Sequence, residues 1–286
     1  MSESRYRDGK PDYAHHFHAG NVGDVLKHCV LGEWLRALQA TGPLRVVDTH
    51  AGTGMYSLPP SGEWDAGIGR LDALDAAQAP PPVQAYLAAV GDKRQVNKGG
   101  LYPGSPALIR GQLGADDHLT VVEMADEPRE KLTSFYAGDA QVEVRGGDGL
   151  AYAATAAAEA GRHAFFIDPS YTRKAEWTAV ADSLRAVCEA DAEAAILVWY
   201  PIKSPMRPQA LAAAARDIAA GLTIDLVSTP LRKQRKALNG SGVLLLRPPA
   251  RLVETINAAL PWLGAALANP AHGEWTASVR GWTAPE

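Results

Sequence analysis

Four times along this chain a short apolar run leads to an acidic residue. Val46-Val47 ends at Asp48, Leu119-Thr120-Val121-Val122 at Glu123, and Ala164-Phe165-Phe166-Ile167 at Asp168, while Val142-Glu143-Val144 runs on through a glycine bend to Asp148. Segments with helical spacing separate them. Short β-branched and aromatic runs suit strands buried on both faces, and their alternation with helices predicts a doubly wound, mostly parallel α/β sheet. Open sheets of this kind bind ligands at the carboxyl ends of their strands, so the alternation collects all four carboxylates at one crevice. Each alone reads as a turn aspartate or an ordinary strand end. Four in chain order read as a site.

In chain order, residues 1–13 combine Arg5, Arg7 and Lys10 with Tyr6 and Tyr13 and have no hydrophobic period, which predicts a flexible arm. His15, His16 and His18 follow with no Cys or paired acidic ligand nearby, so no metal is expected. From Val22 to Leu38 apolar residues recur at helical spacing; Asp24, Lys27 and His28 on this helix read as a solvated face with an ordinary ion pair. The first strand then enters Thr49-His50-Ala51-Gly52-Thr53-Gly54, where Gly52 lets the backbone approach a ligand closely. Ser57 stands where a dinucleotide fingerprint has its third glycine, which disfavours a nicotinamide site.

A βαβ unit should reach its second strand soon after this turn, yet the next good strand begins at Leu119. An insertion over 55–101 is therefore expected as a small helical subdomain, carrying Ile68-Leu71-Leu74 and Val83-Tyr86-Leu87-Val90 at helical spacing, with 1–54 and 102–286 forming the main domain. Tyr102-Pro103-Gly104-Ser105-Pro106 re-enters the main fold, with Ser105 expected as an N-cap. Beyond the fourth strand, Ala194 to Pro201 makes a fifth. Leu222 to Val227 and Val243 to Leu246 close a seven-stranded sheet as a terminal antiparallel hairpin.

The net charge of −4 gives no global attraction to a polyanion, so any such site must be local. Arg232, Lys233, Arg235 and Lys236, on the hairpin loop, form the densest positive cluster and are expected to flank the site as RNA-phosphate contacts. Cys29 and Cys188 lack a C-x-x-C spacing and read as free thiols of a reducing cytoplasm. No apolar run is long enough for a membrane span, and no exposed heptad or long edge strand argues for assembly, so a monomer is expected.

The chemistry is expected at Asp168-Pro169-Ser170-Tyr171. Pro169 ends the strand and keeps Asp168 out of helical geometry, so its carboxylate stands at the sheet edge. Glu123 is placed to accept from both ribose hydroxyls of an adenosine-bearing ligand, and Asp148 from an adenine amino group. The tetrapeptide resembles the D/N-P-P-Y/F/W loop of S-adenosylmethionine-dependent methyltransferases that act on exocyclic amino groups. An adenine N6 is a poor nucleophile because its lone pair is delocalised. Accepting its hydrogens with Asp168 and the Pro169 carbonyl would aim that lone pair at a sulfonium methyl, with Tyr171 stacked on the base.

Longer stretches extend the resemblance over nearly the whole chain: Phe17-His18-Ala19-Gly20-Asn21 with Asp24-Val25-Leu26-Lys27-His28, Asp48 to Gly54, Tyr102 to Pro106, Trp199-Tyr200-Pro201 and Leu260-Pro261-Trp262-Leu263. Together they resemble the RlmJ family of 23S ribosomal RNA adenine-N6 methyltransferases. The resemblance implies a Rossmann-like class I methyltransferase fold with a helical insertion after the first strand. It implies S-adenosylmethionine as cofactor, with S-adenosylhomocysteine as product, held by Lys27, His28, His50, Ser105, Glu123, Asp148 and Gly149. It further implies catalysis by Asp168 and a mobile tail bringing Tyr13 and His15 to the site. The family's second loop proline is Ser170 here, which frees a backbone N–H and loosens the loop. A rival reading, a DNA-handling protein linked to use of external DNA without methyl transfer, leaves the four carboxylates unexplained.

Overall fold

The computed structural model describes residues 6–7, 10–11, 15–91, 100–233 and 238–284, with side chains described from residue 17 onward within those ranges. Its centre is one eight-stranded sheet. In chain order the strands are β1 (Arg45–Asp48), β2 (His118–Glu123), β3 (Val142–Gly146), β4 (His163–Ile167), β5 (Ala195–Ile202), β6 (Gly221–Val227), β7 (Gly240–Leu246) and β8 (Thr276–Trp282). Their spatial order is β8-β6-β7-β5-β4-β1-β2-β3. Strands β5, β4, β1, β2 and β3 pair in parallel, with β1 at the switch point between β4 and β2; β7 is antiparallel to β5 and β6. This is the Rossmann-like, doubly wound arrangement that the alternation predicts.

The sheet has eight strands rather than seven, and the β6–β7 hairpin is not terminal, because β8 pairs antiparallel along the outer side of β6. Thr276-Ala277-Ser278-Val279-Arg280-Gly281-Trp282 has small and charged residues in place of an apolar run, as suits a half-exposed edge. A seven-residue edge strand is thus present after all.

Period-two alternation splits the core in two. On β4, Ala164 and Phe166 face one apolar layer and Phe165 and Ile167 the other. The first layer is covered by α1 (Val22–Gln39), α3 (Ser105–Arg110), α4 (Asp126–Phe135) and α8 (Ala250–Leu267); the second by α5 (Gly149–Ala157), α6 (Ala175–Ala190) and α7 (Met206–Arg216). Asn21 caps α1, its side-chain oxygen accepting from the amides of Gly23 and Asp24.

The segment between β1 and α3 opens and closes with an antiparallel ribbon, Met55–Ser57 against Leu101–Pro103. Between them lie a short helix at Ile68–Asp72 and α2 (Pro81–Val90). Trp64, Ile68, Leu71, Val83, Tyr86, Leu87 and Val90 join Leu31, Trp34 and Leu35 of α1 in one apolar cluster. Ser105 is not an N-cap: it lies inside α3, Gly104 precedes the helix, and the serine hydroxyl donates to Asp48. Among the described residues no helix is long and apolar enough to cross a membrane.

Candidate active site

The carboxyl edge of the parallel strands holds an open cleft lined by Thr49, His50, Glu123, Asp148, Gly149 and Pro169. Arg173, Glu176 and Ala179, from the start of α6, line it as well. The turn after β1 is shaped by Gly52, whose φ of +63° favours glycine and whose Cβ would fall 2.0 Å from the Tyr56 hydroxyl oxygen. At Gly149 a Cβ would fall 1.9 Å from the Thr49 carbonyl oxygen, so only glycine lets the start of α5 lie against the β1 turn. These contacts fix the cleft floor without filling it.

Both oxygens of Glu123 are oriented by the backbone: Oε2 accepts from the Gly52 amide at 3.0 Å and Oε1 from the Ala125 amide at 2.7 Å. Each keeps lone-pair capacity for a ligand hydroxyl. Asp148 caps α5, its Oδ1 accepting from the amides of Leu150 (2.9 Å) and Ala151 (3.4 Å), while Oδ2 accepts from nothing among the described residues. The turn role and the ligand role are therefore compatible in one side chain. His50 lines the cleft with its Nδ1 2.8 Å from Thr49 Oγ1.

Beneath the cleft lies a chain of buried charge. Lys27 on α1 places Nζ 2.6 Å from Oδ2 of Asp168 and 2.6 Å from Oδ1 of Asp24; Lys27 and Asp24 are buried, and the Asp168 side chain is 11% exposed. Burial opposes the lysine's charge, but Asp168 and Asp24 together outweigh it and hold the ammonium above its ordinary pKa. Burial likewise pushes Asp168 up, against the pull of Lys27. The result is a divided carboxylate: Oδ2 is fixed on Lys27, and Oδ1 accepts from nothing among the described residues. Asp48, fully buried on the neighbouring strand, accepts from Ser105 Oγ at 2.6 Å and from the His50 amide at 3.2 Å. Burial pushes it up to about 7 despite the Ser105 hydrogen bond.

The structure thus brings together Lys27 and Asp168 in one ion pair, Ser105 and Asp48 in one hydrogen bond, and His50, Glu123, Asp148, Gly149 and Pro169 around one cleft. The surface ion pair expected on α1 is instead buried and reaches across to Asp168. Lys27, His28, Gly52, Ser105 and Asp168 are not among the residues lining the cleft; His28 places Nδ1 2.8 Å from the Tyr102 hydroxyl, which lies 3.0 Å from that of Tyr86. Tyr171 is 6% exposed, with φ +51° and its ring centroid 4.2 Å from Trp177 and 6.2 Å from Trp199. A base can stack on that ring only after the side chain leaves this packing. Arg232 and Lys233 are exposed on the β6–β7 loop, Arg232 paired with Glu274. Tyr13, the His15 side chain, Arg235 and Lys236 lie outside the described residues. Sequence reasoning missed Asp24, Arg173 and Glu176; the i, i+3 spacing of Asp24 and Lys27 was the one signal available for the first. Among the described residues no group of three or more His, Cys, Asp or Glu is placed to hold a metal ion.

Comparison with known proteins agrees with this geometry. Residues 41–282 match the family described as "Ribosomal RNA large subunit methyltransferase D, RlmJ". The chain is similar to Ribosomal RNA large subunit methyltransferase J of Escherichia coli (strain K12), at 30% identity over 96% of this chain and 99% of that protein. It is 29% identical to the protein of the same name from Haemophilus influenzae, with the same coverage, 96% and 99%. Among solved structures, protein LPL1258 of Legionella pneumophila superposes with a TM-score of 0.83 at 26% identity, covering 92% of this chain and 98% of that one. A match spanning every strand of the sheet and both sides of the cleft places the chain in the RlmJ family of ribosomal RNA large subunit methyltransferases.

Proposed function

We propose that the protein methylates the exocyclic N6 of an adenine in 23S ribosomal RNA, acting in the cytoplasm as a monomer. As a methyltransferase of this family it takes its methyl group from S-adenosylmethionine and releases S-adenosylhomocysteine. The cleft suits such a donor: Glu123 offers two backbone-oriented oxygens to ribose hydroxyls, and Asp148 keeps Oδ2 for an adenine amino group. Lys27, His50, Ser105 and Gly149 complete the holding set, Lys27 with two of its three N–H donors already spent on carboxylates. When bound, the donor supplies an electrophilic methyl on a sulfonium.

The observation that carries the reading is the divided carboxylate of Asp168. With Oδ2 tied to Lys27, Oδ1 and the Pro169 carbonyl are the acceptors at the edge for the two N6 hydrogens of a target adenine. Accepting them draws the nitrogen lone pair out of the ring and toward the methyl carbon; the C–N bond forms as the C–S bond breaks, and the surplus N6 proton leaves through Asp168 or to solvent. Lys27 keeps the carboxylate oriented while it is desolvated. Asp168→Ala should therefore fold and bind S-adenosylhomocysteine yet transfer little methyl to RNA, since the interaction it loses strengthens as N6 becomes cationic. Mass mapping of ribosomal RNA incubated with each protein checks this, and transfer near the wild-type rate would remove Asp168 from the role. The DNA-handling alternative makes the opposite forecast for a thermal-shift comparison: stabilisation by DNA and none by S-adenosylhomocysteine.

A further inference from the structure

Charge is segregated along the carboxyl edge. On the side of β2 and β3 the cleft carries Glu123 and Asp148, and the cation beside them, Arg129, is paired with Asp126. On the other side, the segments leaving β4, β5 and β6 carry Arg173 and Lys174, Lys203 and (in the first turn of α7) Arg207, and Arg232 and Lys233. Strand β6 is antiparallel to β7, which is antiparallel to β5, so β6 points the same way as β4 and β5 and all three loops leave one edge. Five of the six side chains are exposed and Arg207 is half-buried. Arg232 pairs with Glu274 and Arg173 lies 4.0 Å from Glu176, but Lys174, Lys203, Arg207 and Lys233 have no carboxylate within 4.0 Å among the described residues. Met206, the first residue of α7, is 77% exposed between Lys203 of the loop and Arg207 of the same helix turn.

We propose that substrate RNA crosses this β4–β5–β6 side of the edge, with Lys203 and Arg207 as its central phosphate contacts and Met206 against the face of a base. The proposal rests on the ribosomal RNA reading above and assigns the path that reading leaves open. From the β4 loop to the β6 loop is three inter-strand spacings, roughly 14 Å, enough to seat several phosphates beside Asp168. The acidic residues of the cleft repel the same backbone, so a protein of net charge −4 can hold a polyanion on this side, with Arg173 at the wall the path shares with the cleft. The connection from β5 to α7 is only residues 203–205, with Pro205 immediately before the helix, so little ordering cost attends binding there.

The test measures affinity for deproteinised 23S ribosomal RNA across a salt series, for wild type, for Lys203→Ala/Arg207→Ala, and for Arg185→Ala/Arg251→Ala. The last removes equal charge from α6 and α8 toward the opposite edge. The first double variant should bind S-adenosylhomocysteine as wild type does, while the slope of log affinity against log salt falls by about 1.5, close to 0.7–0.9 for each lost phosphate contact. The control should keep the wild-type slope. An unchanged slope, or an equal loss in the control, overturns the path while RNA binding and methylation by wild type still stand. A wild-type protein that binds no RNA overturns the path and the function together. Should Lys203→Ala/Arg207→Ala fail to bind S-adenosylhomocysteine, the single variants Lys203→Gln and Arg207→Gln give the same readout, each expected to lose about half that slope.

Discussion

Ser170 stands where the resembled D/N-P-P-Y/F/W loop has its second proline, and its hydroxyl makes contacts a proline cannot. Its Oγ lies 3.3 Å from Glu176 Oε1 and 3.2 Å from Thr172 Oγ1, and the Arg173 amide donates to Glu176 Oε2 at 3.3 Å. Glu176 sits in the first turn of α6, where a carboxylate is also favoured by the helix dipole. The loop is thus tied to the helix that follows it. The freed Ser170 amide donates to nothing among the described residues, so a proline there would cost no hydrogen bond. Glu176→Ala should lower methyl transfer several-fold, as expected from losing exposed hydrogen bonds worth about 0.5–1.5 kcal/mol each. Ser170→Pro in the same chain should restore most of that loss. Methyl-transfer rates for the two single variants and the double variant decide it: if proline restores nothing, Glu176 serves only as a cleft wall.

At the scale of elements, β1, β2 and β4 and their terminal carboxylates were legible because buried parallel strands read as apolar runs, while β3, half-exposed at the sheet edge, showed only its alternating valines before Asp148. Glu123 shows what that reading left out. The strand predicts where the carboxylate stands, but the two amides that orient it come from Gly52, on the β1 turn, and from Ala125, and only the first contact depends on tertiary structure. Glu123→Ala should weaken S-adenosylhomocysteine binding by about 1.5–3 kcal/mol, the range for hydrogen bonds to a charged group. Glu123→Gln, which keeps an acceptor oxygen, should lose less. Calorimetric titration separates the two, and equal affinity in Glu123→Ala and wild type would place the ribose elsewhere. Other features were not legible for physical reasons. Strand β8 is an edge, stabilised by one partner and half-exposed, so no apolar run marks it. Asp24, Lys27 and His28 look like a polar helix face because helical spacing cannot say that the face is covered by the carboxyl edge and by Tyr102. The packing of Tyr171 against Trp177 and Trp199 joins residues from three elements, a contact no local pattern encodes.

For the whole molecule, the segment between β1 and α3 is set apart in sequence but joined in packing. Trp64, Ile68, Val83 and Tyr86 are buried in the cluster that α1 lays on the sheet, and Arg70 donates from Nη1 to the carbonyls of Leu267 and Ala268 at the end of α8. An inserted unit whose buried large apolar side chains join a neighbour's core has no independent core to keep it folded. We expect heat to unfold the chain in one cooperative transition that S-adenosylhomocysteine shifts as a whole, by the equivalent of about 2.7 kcal/mol at a hundredfold excess over its dissociation constant. Arg70→Ala, which leaves two helix-end carbonyls without their donor, should lower that single transition and not split it. Scanning calorimetry of wild type and Arg70→Ala, each with and without S-adenosylhomocysteine, reads all of this. Two resolved transitions, only one moved by the substitution and only the other by the ligand, would show that the insertion folds as a domain of its own and that the shared cluster is an interface between domains.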